Sequence, residues 1–244
     1  MLVRQAANVL ELMEYFAARK RPATLAEISE DMEWPKSSTF NLVGTLTDKG
    51  YLYETRARAG YYPSPRWMMI ARAISEAEPL PDFVLELTAE IARATGETTA
   101  VGAAAGTSVI FLHVIESQQP IRYFAQVGTQ VPIHASSAGR AILAQMQPAE
   151  RRALYRRIPF ERYSATSPMD VATIEAELRL AEERGYHQSN SEYIADLAGV
   201  ALPLPVASRP LSIVVAGPVS RCLEARPRTA ALMSSILRTF PASG

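Results

Sequence analysis

The stretch from Thr24 to Gly50 leaves few folds open to the first sixty residues. It opens with Thr24-Leu25-Ala26-Glu27, a capping-box sequence in which the Thr24 hydroxyl and the Glu27 carboxylate can each satisfy a free backbone N–H. Leu25, Ile28 and Met32 then fit a short helix. Trp34-Pro35 breaks it, and a further helix over about 36–49 has Phe40, Val43, Leu46 and Leu42 as its expected inner face and Gly50 as its stop. Ahead of this pair, residues about 3–18 set Val3, Ala6, Ala7, Val9, Leu10, Met13 and Phe16 on one apolar stripe at helical spacing, ended by Arg19-Lys20-Arg21-Pro22. Behind it, Tyr51-Leu52-Tyr53 and Tyr61-Tyr62 read as strands joined by a polar turn that runs from Arg56 to Gly60. Three short helices and a hairpin are the parts of a winged helix-turn-helix. On pattern alone, another small α+β domain also fits.

The third helix begins Lys36-Ser37-Ser38-Thr39 and carries Asn41 and Thr45 on its outward side. A cation for phosphate, short hydroxyls that approach a backbone or a base edge, and an amide able to pair with adenine are what a DNA-reading helix needs. A capped helix start with a solvated polar face explains the same residues in isolation. The flanks favour DNA: Arg19 and Arg21, with Thr24 just beyond, precede the second helix, and Arg56 and Arg58 stand at the wing tip. Lys36, Arg19, Arg21 and Arg56 are therefore expected on phosphates, and Ser38, Thr39, Asn41 and Thr45 nearer base edges. Bulk charge decides nothing, because 25 basic residues balance 25 acidic ones.

From Pro65 to about Glu78 a helical stretch carries Trp67, Ile70 and Ile74 on one side and closes at Pro79-Leu80-Pro81. Its apolar side needs a partner, either a second copy of the chain or the first helix of its own. Beyond it the pattern gives a helix over about 82–95 stopped by Gly96, strands at 97–104, 108–115 and 121–126, and helices near 138–157 and 170–185. Strands near 198–204 and 211–217 follow, then a last helix at about 223–240. Runs of strands with helices gathered at the ends fit an antiparallel sheet in an α+β sensor-type domain.

Here the sequence resembles the IclR family of bacterial transcription regulators. The resemblance runs nearly end to end, through TLAEISEDMEWPKSSTFNLVGTLTDKGYL and a tyrosine-rich wing, ELTAEIARATGETTAVGAAAG, VGTQVPIHASSAGRAILAQM, ELRLAEERGYHQSNSEY and IVVAGPVSR. It implies a winged helix-turn-helix over 1–63, a linker helix over 64–81 and a GAF-like effector-binding domain with a central antiparallel sheet over 82–244. It also implies a homodimer or homotetramer on operator double-stranded DNA, with RNA polymerase an open further partner. The chain departs from the family pattern at Asn41, where an arginine is usual, at Gly44 within the reading helix, at Arg140, where the pattern has lysine, and at Asp196, where it has glycine.

The effector follows from the same comparison. His134-Ala135-Ser136-Ser137 enters a helix whose start favours a carboxylate, although a plain serine N-cap explains Ser136 or Ser137 equally well. The resemblance places this loop at the pocket, together with the Asn190–Asp196 segment and with Pro203, Val214 and Ala216, where polar partners stand in relatives. Phe111, Tyr123, Phe124 and Tyr193 are the aromatic candidates. An aromatic or medium-sized organic acid is therefore expected over a small oxoacid. Enzyme readings are weak: Cys222, the only cysteine, has no glycine-rich elbow around it, and His113 sits in an apolar strand. No metal or cofactor set is expected from three histidines and one cysteine. The lone cysteine points to a reducing cytoplasm, and no apolar run is long enough for a membrane span. The rival to a regulator is a ligand-binding interaction module whose N-terminal helices contact protein.

Overall fold

The computed structural model describes residues 3–56, 60–77, 80–206 and 209–240. The chain divides into two units, Met1–Pro79 and Leu80–Gly244.

In the first unit, α1 (Arg4–Arg19) stops at Lys20, whose left-handed backbone (φ 56°) turns its N–H onto the Phe16 carbonyl. Thr24 caps α2 (Leu25–Asp31) with a full capping box, and α3 (Lys36–Asp48) starts directly after Pro35. β1 (Leu52–Glu54) and β2 (Tyr61–Pro63) form the antiparallel hairpin, and Ala23 bridges to Tyr61. Leu12, Phe16, Ile28, Val43, Leu46 and Leu52 fill the centre. Phe40, expected on the inner face, is instead 64% exposed. Thr39, Val43 and Leu46 face inward at four- and seven-residue spacing, and the next residue after Thr39 stands about 100° round the helix. The last helix of the unit, α4 (Arg66–Ala77), corrects a second expectation. Trp67 does not belong to a free stripe: it packs on the core of the first unit, its ring lies 4.7 Å from that of Tyr51, and its Nε1 donates to the Tyr51 carbonyl at 3.0 Å. Met68, Met69 and Ile74 are the exposed apolar residues of α4, and Ile70 is half-buried.

The second unit runs α5 (Asp82–Thr95), β3 (Thr98–Ala105), β4 (Ser108–Ile115), β5 (Gln130–Pro132), α6 (Ser137–Leu143), α7 (Pro148–Tyr155), α8 (Val171–Arg184), β6 (His187–Asn190), β7 (Leu197–Val206), β8 (Arg209–Pro218), α9 (Val219–Cys222) and α10 (Arg226–Thr239). Its six strands are ordered β5-β4-β3-β8-β7-β6, and every pairing is antiparallel. Residues 121–126, expected as a strand, form none. That segment is held by other bonds, with the Thr98 hydroxyl donating to the Tyr123 carbonyl at 2.6 Å and Arg122 paired with Glu116. The place on the sheet edge goes to β5, after a turn through Gly128 at φ 89°. The expected helix at 138–157 is two, because Pro148 starts a new one behind a Gln147–Glu150 capping box. The expected last helix is α10, which carries a proline in its first turn, and the short α9 ahead of it was not foreseen. The polar strand His187-Gln188-Ser189-Asn190 escaped the sequence reading because it has no apolar alternation.

Alternation along the strands divides the core. Val101, Val200, Leu211, Ile213 and Val215 pack with Val84, Leu87 and Ile91 of α5 and Met233 of α10, while Ala100, Phe111, Ala201, Val214 and Ala216 pack with α6 and α8.

Candidate functional site

In the first unit Lys36, Ser37, Ser38, Asn41 and Thr45 are all exposed along α3. Thr39 is not: it is 1% exposed, and its hydroxyl donates to the Pro35 carbonyl at 3.2 Å, so it cannot approach a base edge. Thr45 donates to the Asn41 carbonyl at 2.7 Å. Arg19 also departs from the sequence expectation. Its side chain is 11% exposed and held between Glu27 and Asp31, so its charge is neutralised inside the unit. Thr24 is used by the α2 cap. Arg21 and Arg56 are exposed; Arg58 lies outside the described residues.

In the second unit a cavity of about 30 Å³ lies between the α6 face of the sheet and the segment that follows β6. Phe111, Tyr123, Val131, Val214 and Ala216 wall it from the sheet side, Ala135, Ser136 and Ser137 from the start of α6, and Tyr193 and Ile194 cover it. Among the sequence candidates, His134, Asp196 and Pro203 stand apart from it. His134 is 1% exposed, with its ring against Phe160 and Tyr163 at 5.5 and 5.9 Å. Asp196 is exposed at φ 60°, its carbonyl accepting from the Val219 N–H at 2.7 Å. Pro203 shares the strand parity of Ala201 but lies four residues beyond Gly199, roughly 13 Å along β7, and borders a different cavity beside Arg151 and Glu175. Phe124 is 62% exposed.

Of the polar part of the cavity the sequence reading found Ser137 and the segment that holds Glu192, and missed Ser189 and Gly199. Ser189 donates to the Ser137 hydroxyl at 3.4 Å, and both border the cavity. A Cβ at Gly199 would lie 2.7 Å from Ser137 Oγ and 2.9 Å from Ser189 Oγ, so the hydroxyl pair depends on a bare position 199. Ser136 is spent on the cap: its hydroxyl accepts from the Gly139 N–H at 3.1 Å and donates to the Pro132 carbonyl at 2.7 Å. Beside the pair, the Glu192 carboxylate accepts from Nη1 and Nη2 of Arg140 at 2.7 and 2.9 Å. Arg140 is 1% exposed and also donates to the Gln188 and His134 carbonyls. The Tyr123 phenol stays protonated, since burial, chiefly, pushes it up to about 12.

His187, at the start of β6, is 6% exposed, and its Nδ1 has no partner among the described residues. Burial, with Arg140 and Arg184 nearby, pushes its pKa down to about 4. An unfolded imidazole titrates near 6.5, so between the two values the unfolded chain binds the additional proton. The stability from a neutral His187 is fully present above about pH 6.5 and is lost as pH falls toward 4; it amounts to about 3 kcal/mol at 1.36 kcal/mol per unit. His134, also lowered mainly by burial, adds in the same direction. Urea unfolding of the second unit at pH 7 and pH 4.5 should show this loss, and His187→Leu should flatten most of it. An equal slope in the variant would assign the loss elsewhere.

Cys222 is no nucleophile: burial, chiefly, with Glu97 beside it, pushes its thiol up to about 12, so it stays protonated. Among the described residues no three His, Cys, Asp or Glu side chains come together as a metal site, and no helix is long and apolar enough to cross a membrane.

A winged helix-turn-helix with a free polar reading face, followed by an α+β unit with an internal cavity, is the build of a DNA-binding regulator. Residues 5–56 match the IclR helix-turn-helix domain, and residues 80–239 match the family described as bacterial transcriptional regulator IclR C-terminal. The chain belongs to the IclR family of bacterial transcription regulators, a non-enzymatic family. It is 26% identical over 226 residues to the HTH-type transcriptional regulator BhcR of Paracoccus denitrificans, covering 92% of this chain and 81% of BhcR. It is 22% identical over 231 residues to the HTH-type transcriptional repressor AllR of Escherichia coli K12, covering 92% and 85%. The crystal structure of Thermotoga maritima IclR superposes with a TM-score of 0.74 at 17% identity, over 97% of this chain and 95% of that one.

Proposed function

We propose that this regulator binds a pseudo-palindromic operator as a dimer or a dimer of dimers in the cytoplasm, and that an aromatic or medium-sized organic acid seated in the second-unit cavity controls it. The observation that carries the effector reading is the make-up of the cavity: apolar and aromatic walls, with the Ser137–Ser189 hydroxyl pair and Glu192, the ion-pair partner of Arg140, among its lining. An apolar body loses nothing against Phe111, Val131, Val214 and Ala216, whereas a small oxoacid would leave its oxygens short of partners there. At about 30 Å³ the space is far below the roughly 300–1,000 Å³ of small-molecule sites, so seating such an acid requires Tyr123, Tyr193 and Ile194 to move outward. A thermal-shift screen of aromatic and aliphatic acids tests this, because a ligand at 100 times its Kd adds about 2.7 kcal/mol. Stabilisation by glyoxylate or pyruvate alone would overturn the aromatic reading and leave the regulator intact.

On the DNA side, Lys36, Arg21 and Arg56 position phosphates, with Arg58 as a further wing contact. Ser37, Ser38, Asn41 and Thr45 lie nearest the bases. Neutralising Lys36 is expected to lower the slope of log affinity against log salt by about one unit for every sequence, whereas Asn41→Ala shifts sequence preference. Arg19→Ala is expected to leave the salt slope unchanged and instead destabilise the first unit by about 1 kcal/mol, since its two carboxylate partners are partly solvated. Footprinting on the chain's own upstream region, run at several salt concentrations, reads both effects. Failure to protect any site at low salt, with or without acids, would favour an interaction module. The exposed Met68, Met69 and Ile74 on α4 give the dimer its apolar seam, with Ile70 at the margin.

A further inference from the structure

Three observations converge on the segment that covers the cavity. First, Arg140 is 1% exposed, its Nε has no hydrogen-bond partner among the described residues, and its ion-pair partner is Glu192. Second, Glu192 is both the counter-ion of Arg140 and a wall of the cavity, with its side chain 15% exposed. Third, Ser191 at φ 54° and Asp196 at φ 60° bracket Glu192–Ala195. Both are non-glycine residues in the left-handed region, which stores strain at the two ends of the covering segment. The Ser167 hydroxyl donates to the Glu192 carbonyl at 2.7 Å, so the backbone is pinned, whereas the side chain is held by the two Arg140 bonds.

Resting on the effector reading above, we propose that Glu192 is a built-in stand-in for the ligand and that Arg140 is the receptor for the effector's carboxylate. The incoming acid exchanges with Glu192, which swings toward solvent as Tyr193 and Ile194 give way, and the acid takes over the two guanidinium bonds. Exchanging one carboxylate for another keeps the buried guanidinium neutralised. A neutral ligand cannot make the exchange without leaving a buried charge unpaired, which is far costlier. Charge selection therefore arises from Arg140, and the Glu192 latch makes the covering segment responsive to the ligand.

The experiment uses the full chain with benzoate and phenylacetate as acids, and benzamide and phenylacetamide as their neutral counterparts. Binding is read by calorimetry and by thermal shift. In Glu192→Gln the competitor is gone and Arg140 lacks its counter-charge. Both acids should bind at least about tenfold tighter than in the unmodified chain and restore the melting temperature, while the amides change less than about twofold. Should that variant fold poorly, Arg140→Met/Glu192→Leu removes the pair together, and it should lose the preference for acid over amide. The proposal is overturned if folded Glu192→Gln binds the acids no tighter than the unmodified chain, or if the double variant keeps the unmodified preference. Amide binding without acid binding in the unmodified chain sinks both the latch and the acid effector. Absence of any binding, by every probe and every variant, overturns the cavity reading itself along with the latch.

Discussion

Gly139→Ala is expected to abolish folding of the second unit, or to cost more than about 4 kcal/mol, beyond the common range for point changes. Gly139 lies inside α6, where the helix comes hard against the chain entering it. A Cβ there would sit 2.0 Å from the Ile133 carbonyl oxygen and 2.6 Å from its carbon and Cα. All three atoms are backbone, so no side chain can swing aside. The shift would have to pass through Pro132–Ser136, which holds the end of β5, the fully buried Ile133 and the α6 cap. Thermal and urea denaturation of the full chain should show the second-unit transition displaced or missing, while the first unit, whose core is separate, unfolds as before. Gly44→Ala is the control: nothing lies within 4 Å of its Cβ, and helix propensity predicts a gain of about 1 kcal/mol for the first unit. A well-folded Gly139→Ala would mean that the approach of α6 to Ile133 is far softer than its geometry.

Arg140→Ala carries the second large effect. Truncation deprives Glu192 of both guanidinium bonds and strips the donor from the Gln188 and His134 carbonyls, and it empties the space of the largest fully buried side chain. Removing one partner of a buried ion pair costs about 3–5 kcal/mol, whereas replacing both by apolar residues of similar volume is close to neutral. Urea midpoints should therefore fall steeply for Arg140→Ala and stay within about 1–2 kcal/mol of the unmodified chain for Arg140→Met/Glu192→Leu. A loss below about 1 kcal/mol for the single change would show that the pair is solvated in solution. The cost belongs to the ion pair only if the double variant recovers it.

How much of this was legible beforehand depends on the range of the interaction. The α2 capping box, the Gly96 stop of α5 and the tyrosine-rich hairpin are local patterns, complete within a few residues, and the sequence determined them by itself. The outward face of α3 followed from helical periodicity, apart from the exchange of Phe40 and Thr39, neighbours about 100° apart on the helix. The likeness to IclR regulators extended the same reading across both units. Tertiary structure alone decided which polar groups remain free. Arg19 reads as a phosphate ligand until Glu27 and Asp31 of α2 fold against it, and Trp67 reads as an interface residue until Tyr51 takes its ring and its N–H. Folding brings Ser137 beside Ser189 at the cavity, and Arg140 beside Glu192, 52 residues apart in each case. No local pattern encodes a contact of that span, because the energy that selects it is the burial of a charge that only the assembled sheet and helices can enclose.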